Sequence, residues 1–469
     1  MIKPRVALFT FLEGHQREGI YKARRPMAQR ETERLVAQLG ADVEIVRMPR
    51  EEIRSKSDIA VNVHAAVSAR VDAVLINTPI FMSPAMVAHA ARQITQPIAL
   101  VCNESPDTFA QLALLACAGA LDQMGIRYRR IPGDLSDAEN RAELIAYLRA
   151  TAAATRLKGM TFGALGGRSL GISTGTADLV MWERVFGVDI EHIDQFEIIR
   201  RADKITAGQV ELYVQWLTAN LGALDYNNTS FTPANLDRQI SSYLATKRIL
   251  RDYELDFVGI KCQSEVSNGY VLQCLNVALL NDPYDAEGMK EPMVCSCEAD
   301  HDGALTMQIL KLLSGGEPTN LNDITFVSEN SMTLENCGAM ATYFAAWSRD
   351  PAENLKRVRM VPHVFGDAGG GATQFVVPPA PLTLARLCRQ GDRYWMGTAR
   401  GEAEMRARDP NNRGLLPRPL IFPRLALDKR RFLRDFGSNH IHSVRGDLTR
   451  ELAEFCQLTG IEYANFDVA

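Results

Sequence analysis

The sequence lacks the features of membrane-bound and nucleic-acid-binding proteins. A formal net charge of −4 marks neither a basic face nor an acidic tail, so charge gives no support for binding to nucleic acids or anionic membranes. The first ten residues carry only about six apolar side chains, too few for a signal-peptide core or a membrane span. We therefore expect a cytoplasmic protein that binds neither nucleic acid nor membrane.

Disulfide, zinc and nucleotide signals are also missing. The nine cysteines are scattered and odd in number, and a chain of this length needs no disulfides, so we expect reduced thiols. Cys295 and Cys297 lack a second pair or a histidine set at zinc spacing, which favours buried thiols over metal ligands. No G-x-G-x-x-G follows the first predicted strand, so the sequence lacks the phosphate-binding loop of a nicotinamide-binding fold.

What the sequence does contain is an α/β pattern long enough for two or three domains. With 469 residues it exceeds what one hydrophobic core usually organises. In the first 157 residues, short β-branched runs alternate with helical patterns, which predicts a parallel sheet wrapped by helices. The predicted elements include strands Val6–Thr10, Val43–Val46, Ala73–Asn77, Ile98–Val101 and Tyr128–Ile131, and helices Ala28–Leu39 and Phe109–Met124.

The rest of the chain changes character near residue 320. Residues 158–320 repeat the strand–helix alternation, ending in a strand Met293–Cys297 and a helix Ala304–Leu313. Residues 321–469 read as short strands broken by Gly and Pro, with one late helix, Leu448–Leu458. We predict an α/β protein with two Rossmann-like domains, 1–157 and 158–320, and a β-rich, barrel-like domain at 321–469.

An acidic cluster at residues 298–302 marks the first candidate site. It lies between an apolar strand and a helix, and open α/β sheets bind their ligands at such carboxyl ends of strands. Asp302 is expected to cap the helix. Glu298 directly follows small and apolar residues, where an unpaired charge is costly without a partner or a cation.

Two further groups complete a possible metal site. Asp323 stands at the edge of another apolar strand, and His440 and His442 precede the late helix. If this segment is a strand, we expect His440 and His442 to point to opposite faces, so that at most one of them joins the site. Each group alone also fits a structural role. Two carboxylates and one imidazole suit Mn²⁺ or Mg²⁺ and leave positions open for a substrate.

These residues occur in a pattern that resembles the L-fucose isomerases. Residues 166–174, G-G-R-S-L-G-I-S-T, resemble the family's G-G-R-S-x-G-x-x-T, and residues 186–195 are similar to the segment that follows it. The cluster that begins Glu298-x-Asp300 is similar to the family's E-N-D, and Asn439-His440 is similar to its N-H. The resemblance implies that Glu298, Asp323 and His440 are the three metal ligands.

The resemblance also implies a cofactor and an assembly. It implies Mn²⁺ dependence, with Mg²⁺ or Co²⁺ as alternatives, and a homo-oligomer, commonly a hexamer, in which a neighbouring N-terminal domain helps to close the site. The related L-arabinose isomerases use a further histidine, whose place His363 is expected to take. The chain is shorter than a bacterial L-fucose isomerase, which leaves the sugar undetermined.

Several residues are expected to contact the sugar or to support the ligands. Lys261 and Gln263 stand where the family has a glutamine-containing substrate-contact run. Asn439 is expected to hydrogen-bond a sugar hydroxyl, and Asp300 to orient the metal ligands. For Arg168, a substrate contact and an ion pair at a domain interface remain equal alternatives.

The function expected from these residues is aldose–ketose isomerisation. The metal would bind the C1 and C2 oxygens of an open-chain sugar, and Glu298 and Asp323 would move a proton between the two carbons through a cis-enediol. A non-catalytic sugar-binding or sensor protein is the first alternative. A nicotinamide oxidoreductase is the second, which the missing glycine motif disfavours.

Overall fold

The computed structural model describes residues 3–407 and 418–468. The chain forms two compact units, Met1–Arg156 and Leu157–Ala469. The three-domain division, with a further boundary near residue 320, stays a prediction. Within the described ranges, every helix is too short or too polar to cross a membrane.

The first unit is built around a parallel sheet. Its strands and helices follow the order β1 (Arg5–Thr10), α1 (Glu18–Leu39), β2 (Glu44–Val46), α2 (Lys56–Ser68), β3 (Ala73–Asn77), α3 (Pro84–Ala91), β4 (Ile98–Val101), α4 (Ala110–Gln123), β5 (Arg129–Arg130) and α5 (Ala138–Leu157). The strand order is β2-β1-β3-β4-β5, with every pair parallel. β3 and β4 are buried along their whole length, as continuous apolar strands covered on both faces should be.

The second unit begins with another parallel sheet. Its elements up to residue 313 are β6 (Thr161–Leu165), α6 (Leu179–Phe186), β7 (Asp189–Ile193), α7 (Phe196–Ala202), α8 (Ala207–Asn220), β8 (Ala223–Leu224), α9 (Pro233–Asp252), β9 (Phe257–Ile260), α10 (Glu265–Gly269), α11 (Cys274–Asn281), β10 (Tyr284–Asp285), β11 (Gly288–Met289), β12 (Cys295–Cys297) and α12 (His301–Leu313). Strands β12-β9-β6-β7 pair in that order, all parallel. The carboxyl ends of β6, β9 and β12 therefore lie at the same end of this sheet.

The remainder of the second unit is mostly β. Its elements are β13 (Thr319–Val327), β14 (Met332–Glu335), α13 (Pro351–Leu355), β15 (Arg359–Pro362), β16 (Gly371–Gln374), β17 (Ala380–Gln390), β18 (Arg393–Ala403), β19 (Leu420–Ile421), β20 (Pro423–Arg424), α14 (Lys429–Asp435), β21 (His440–Arg445), α15 (Thr449–Thr459) and β22 (Glu462–Asn465). An eight-stranded sheet has the order β19-β14-β13-β21-β17-β18-β20, and β22 pairs with β18.

The α/β class and the β-rich end of the chain are confirmed. The strands that the sequence predicts before residue 132 all form, with ends that differ by no more than about one residue. An isolated bridge connects opposite sides of the eight-stranded sheet, since it joins Ser331, next to β14, to Arg424 on β20. Closure of this sheet into a barrel stays a prediction, as does the Rossmann-like description of the two parallel sheets.

One predicted helix is wrong in extent. The sequence places its start at Ala28, after Pro26, but α1 begins at Glu18 and contains Pro26. A proline removes one backbone donor and crowds the preceding turn without always ending a helix.

Asn281 stabilises the edge strand that leads to the candidate site. Its Oδ1 accepts from the Cys295 N–H at 3.1 Å, and its Nδ2 donates to the Cys295 carbonyl at 2.8 Å. Because β12 lies at the edge of its sheet, this amide takes the place of a neighbouring strand. The same Nδ2 also donates to the Val277 carbonyl in α11.

Asn281→Ala should therefore destabilise the protein. The change leaves the buried N–H and C=O of Cys295 without this partner, and we expect a loss of about 2–4 kcal/mol in the free energy of unfolding. Denaturant unfolding measures it. Asn220→Ala is the matched control, because the Asn220 amide donates only within its own helix, to Trp216, and should cost less than about 1 kcal/mol. Equal losses in the two variants would contradict this role of Asn281.

Candidate metal centre and active site

Glu298 sits at the carboxyl end of β12 in a constrained backbone. Its φ is +59° and that of Ala299 is +48°, a left-handed conformation that non-glycine residues adopt only at some cost. The Ala299 N–H donates to the Ile260 carbonyl at 3.0 Å, which ties the turn to β9. The turn thus holds Glu298 at the sheet edge where α/β proteins bind ligands.

Asp323 and His440 are brought together by strand pairing. Asp323 on β13 is the direct partner of His440 on the antiparallel strand β21. Side chains at such paired positions start only about 5 Å apart. A bulge between Ile324 and Phe326 follows immediately, and bulges of this kind often re-aim a side chain beside an active site.

The three predicted ligands converge on the Nε2 atom of His440. This atom lies 3.6 Å from Glu298 Oε2 and 3.4 Å from Asp323 Oδ1. Neighbouring ligand atoms around a cation with bonds of about 2.1–2.3 Å are about 3.0–3.3 Å apart. No group of three ligating side chains in the described residues is already spaced to hold an ion, so these donors would have to move slightly inward.

The unsatisfied polar atoms fit a cation at this point. Glu298 Oε2 and His440 Nε2 are both buried, and neither has a hydrogen-bond partner. Buried polar atoms normally have one, because leaving them unpaired costs free energy. Carboxylate oxygens and one imidazole nitrogen are also the ligands that Mn²⁺ and Mg²⁺ accept. The residues present therefore fit a divalent cation.

The pKa values of Glu298 and His440 are shifted by burial and by the charged groups around them. Burial raises the pKa of Glu298 to about 7. Burial alone lowers the pKa of His440, but its hydrogen bond to Asp300 and the nearby Asp323 carboxylate outweigh this and raise the pKa to about 10. Without a cation, His440 is thus the positive charge among these carboxylates.

Asp300 connects this site to the rest of the second unit. It is only 1% exposed, and its Oδ2 accepts from His440 Nδ1 at 2.8 Å and from Arg386 Nη1 at 2.5 Å. Burial alone would raise the pKa of this carboxyl, but Arg386 and His440 hold it well below its usual range. Because His440 donates through Nδ1, its Nε2 is directed to Glu298 and Asp323.

The prediction that Asp302 caps α12 is wrong. Asp300 is the N-cap residue, and its Oδ1 accepts from the Gly303 N–H at 2.9 Å. Asp302 is buried instead, where its Oδ1 accepts from Trp182 Nε1 and Tyr394 Oη, each at 3.0 Å. Burial raises the pKa of Asp302 to about 7.

The expectation that His440 and His442 point to opposite faces is wrong, and His442 lies beside the same cluster as His440. Residues two apart on a strand share a face, and His442 Nε2 is 4.0 Å from Asp300 Oδ2. Gly303 makes this approach possible, because a Cβ there would lie 2.5 Å from Asp300 Oδ2 and 2.6 Å from His442 Nε2. Both histidines thus face the same buried carboxylate.

The expected substrate residues lie at the carboxyl ends of β6 and β9 and beside β21. Arg168 is exposed and donates to Ser173 Oγ at 3.2 Å, while Lys261 pairs with Glu265 at 2.6 Å. The Gln263 carbonyl accepts from Ser169 Oγ, and Asn439 Oδ1 accepts from Thr174 Oγ1 at 3.4 Å. Their roles toward a sugar stay predictions.

Both ring nitrogens of His363 form hydrogen bonds within the protein. Its Nδ1 accepts from the Phe365 N–H at 2.9 Å, and its Nε2 donates to the Cys337 carbonyl at 2.6 Å. A nitrogen that carries a proton has no lone pair for a metal. As placed, His363 supports the turn at Cys337 and is not arranged as a fourth ligand.

Sequence reasoning missed the contacts that Arg386, Trp182 and Tyr394 make with the buried carboxylates of Asp300 and Asp302. Arg386 is 1% exposed in the middle of the apolar strand β17, and a charge inside such a strand is a signal that could have revealed it. A cavity of about 200 Å³ is bordered by Arg386, Asp302 and the hydroxyl residues near Thr174. The three candidate metal ligands do not line that cavity, so the geometry of the donors identifies the centre better than cavity size does.

Two family models match the chain. That of the first N-terminal domain of L-fucose isomerase matches residues 3–159, and that of the C-terminal domain of L-fucose isomerase matches residues 334–467. The second match includes His440 but begins after Glu298 and Asp323.

Curated relatives point to the same family. The chain is 24% identical over 341 residues to a sulfoquinovose isomerase from Alkalicoccus urumqiensis, covering 70% of this chain and 73% of that protein. It is 20% identical to one from Priestia aryabhattai, covering 78% and 79%. An L-fucose isomerase from Escherichia coli (strain SMS-3-5 / SECEC) is 24% identical, covering 47% and 43%.

Among solved structures, the similarity is too low to bear on the fold. An ABC transporter solute-binding protein from Burkholderia multivorans matches with a TM-score of 0.16 and 14% identity, covering 57% of this chain and 82% of that one.

Asp300→Asn should weaken cation binding and destabilise the second unit. The neutral amide no longer compensates the buried Arg386, so we expect a loss of about 3–5 kcal/mol in the free energy of unfolding. It also orients His440 less firmly, so affinity for Mn²⁺ should fall about 10–100-fold. Denaturant unfolding and titration calorimetry measure the two effects.

A double variant separates these effects. Asp300→Asn with Arg386→Met removes the uncompensated charge and should recover part of the stability, while Mn²⁺ affinity stays low. Recovery of Mn²⁺ affinity in the double variant would mean that Asp300 does not act through His440.

Cation binding to the metal-free protein should release protons in a pH-dependent number. At pH 8, Glu298, with a pKa of about 7, is mostly ionised and His440, with a pKa of about 10, is protonated, so about one proton should leave. At pH 6, Glu298 is mostly protonated too, and release should approach about two. Apparent affinity should therefore rise with pH. Calorimetry in buffers of different ionisation enthalpy counts the protons.

Glu298→Gln provides the control for this count. The variant should release about one proton at both pH values, because only His440 titrates. An equal count at pH 6 and pH 8 in the unaltered protein would contradict the assignment.

Proposed function

The chain is an aldose–ketose isomerase of the L-fucose isomerase family, and we propose that Glu298, Asp323 and His440 hold its divalent cation. The observation that carries the proposal is the convergence of two carboxylates on the unpartnered Nε2 of His440. Mn²⁺ is the proposed cation, with Mg²⁺ or Co²⁺ as alternatives.

The proposed chemistry is a proton transfer between adjacent sugar carbons. A bound divalent cation would supply polarisation of the carbonyl, which lowers the barrier to removing the neighbouring C–H proton. One of the carboxylates, Glu298 or Asp323, takes that proton, and a cis-enediol of the sugar forms. Return of a proton to the adjacent carbon completes the interconversion of aldose and ketose.

The surrounding residues divide into support for the ligands and contacts for the sugar. Asp300 fixes the His440 ring through Nδ1, and the positive-φ turn at Glu298 and Ala299 fixes the carboxylate. Asn439, next to His440 and exposed, is proposed to hydrogen-bond a sugar hydroxyl. Lys261, Gln263 and Arg168 are proposed to contact the more distant part of the sugar.

The proposal includes the assembly and the location expected from the sequence. A homo-oligomer, on the family pattern a hexamer, would close the site with a neighbouring N-terminal domain, in the cytoplasm and without a nicotinamide. A relationship to the L-arabinose isomerases is likewise proposed. Relatives named for sulfoquinovose and for L-fucose make both sugars candidate substrates.

Glu298→Gln and Asp323→Asn should each abolish most of the turnover. Loss of an acid–base group typically costs about 10²–10⁴-fold, and here a ligand charge is lost as well. The assay follows ketose formation from a panel that includes sulfoquinovose, L-fucose and L-arabinose. It is run after EDTA treatment and again after addition of Mn²⁺.

Asp435→Asn is the matched control, because Asp435 is paired with its exposed neighbour Arg434. It should keep full activity. Sugar binding with no ketose under any tested cation would favour a sugar-binding protein. Turnover that needs an added nicotinamide would favour an oxidoreductase, and full activity in Glu298→Gln would overturn the proposed site.

A further inference from the structure

Three cysteines from three segments of the chain come together around Cys337, and one of them, Cys297, directly precedes Glu298. The Sγ atoms of Cys297, the last residue of β12, and Cys337, which follows β14, lie 3.1 Å apart. Cys274, at the start of α11, directs its thiol to the Cys337 carbonyl at 3.5 Å. All three are free thiols. Two sulfurs in contact, from segments distant in sequence, are positioned to react with each other.

Two features favour Cys337 as the thiol that reacts first with an oxidant. Cys297 and Cys274 are each only 3% exposed, whereas Cys337 is partly exposed. The neighbouring Cys274 and Cys297 side chains also lower the pKa of the Cys337 thiol, which favours the reactive thiolate. Buried thiols elsewhere, such as Cys456, have a raised pKa because burial disfavours the charged form.

The turn that carries Cys337 is held in place by its neighbours. His363 Nε2 donates to the Cys337 carbonyl, and Asn336 Oδ1 accepts from the N–H groups of Gly338 and Ala339. A sulfur on a fixed turn stays within reach of its partner, which favours reaction between the two over reaction with a second molecule.

We propose that Cys297 and Cys337 are a redox-sensitive pair whose disulfide reversibly inactivates the isomerase. With a hydroperoxide as oxidant, the Cys337 sulfur attacks, the O–O bond breaks, and a sulfenic acid and water (or the alcohol) form. The Cys297 sulfur then attacks the sulfenic sulfur, so that the S–S bond forms, the S–O bond breaks and water leaves. The two thiols lose two electrons and two protons, and a dithiol reductant restores them.

The disulfide would act on catalysis through Glu298. A disulfide bond is about 2.05 Å long, so closure brings the two sulfurs about 1 Å nearer than their present contact. Cys297 is bonded directly to Glu298, whose positive φ leaves little freedom to absorb such a shift. Displacement of a catalytic group by about 1 Å can cost about 10²-fold in rate. This effect on rate rests on the proposed function, whereas formation of the disulfide does not.

The test uses the full-length, cation-loaded protein treated with hydrogen peroxide and then alkylated. Non-reducing peptide mass spectrometry should show Cys297 linked to Cys337, and ketose formation should fall at least about 10-fold. Dithiothreitol should reverse both changes. A link of Cys337 to Cys274, or no link at all, would overturn the proposal.

Variants separate the pair from general oxidation. Cys337→Ala should keep basal activity and resist peroxide, and Cys337→Ser serves if the alanine variant folds poorly. Cys274→Ala is the matched control and should remain sensitive. Equal inactivation of Cys337→Ala and the unaltered protein would overturn the proposal, as would full activity of the linked protein. If no sugar is isomerised at all, the proposed function fails while the peptide link still tests the thiol pair.

Discussion

The candidate site depends on one buried carboxylate, Asp300. It caps helix α12, compensates Arg386 from β17 and holds His440 on β21, so a single side chain joins the parallel sheet to the large sheet of the second unit. Burying a charge is expensive unless each oxygen has partners, and here both oxygens do. A change at Asp300 should therefore affect both the fold and the candidate metal centre.

Charge balance around this carboxylate argues for a divalent cation. Glu298, Asp323 and Asp300 bring three negative charges toward His440, and Arg386 returns one positive charge. With His440 neutral, as a metal ligand must be, two negative charges remain. A divalent cation at Nε2 cancels them, whereas the protonated histidine alone cancels only one. Burial, together with this uncompensated negative charge, raises the pKa of Glu298.

The sequence predicts local features well and spatial ones poorly. The apolar strands before residue 132 and the strand before Glu298 could be predicted because their hydrophobic patterns are local. Which acid caps α12 could not, because Asp300 and Asp302 are both plausible caps, and the choice depends on Arg386, Trp182 and Tyr394 from distant elements. The family resemblance, not the periodicity, joined Asp323 to His440; their strand pairing appears only in the fold.

The candidate metal ligands and the expected sugar contacts lie on different parts of the fold, so the ligands alone do not identify the sugar. The proposed ligands stand on β12, β13 and β21, whereas Arg168, Lys261 and Gln263 lie on loops after β6 and β9. Relatives named for sulfoquinovose and for L-fucose match this chain at similarly low identity. Loops tolerate substitution more readily than the strands that hold a buried charge network, and one hydroxyl contact can shift discrimination by orders of magnitude. Substrate choice can therefore change in these loops while Asp300, His440 and the two carboxylates keep the same arrangement.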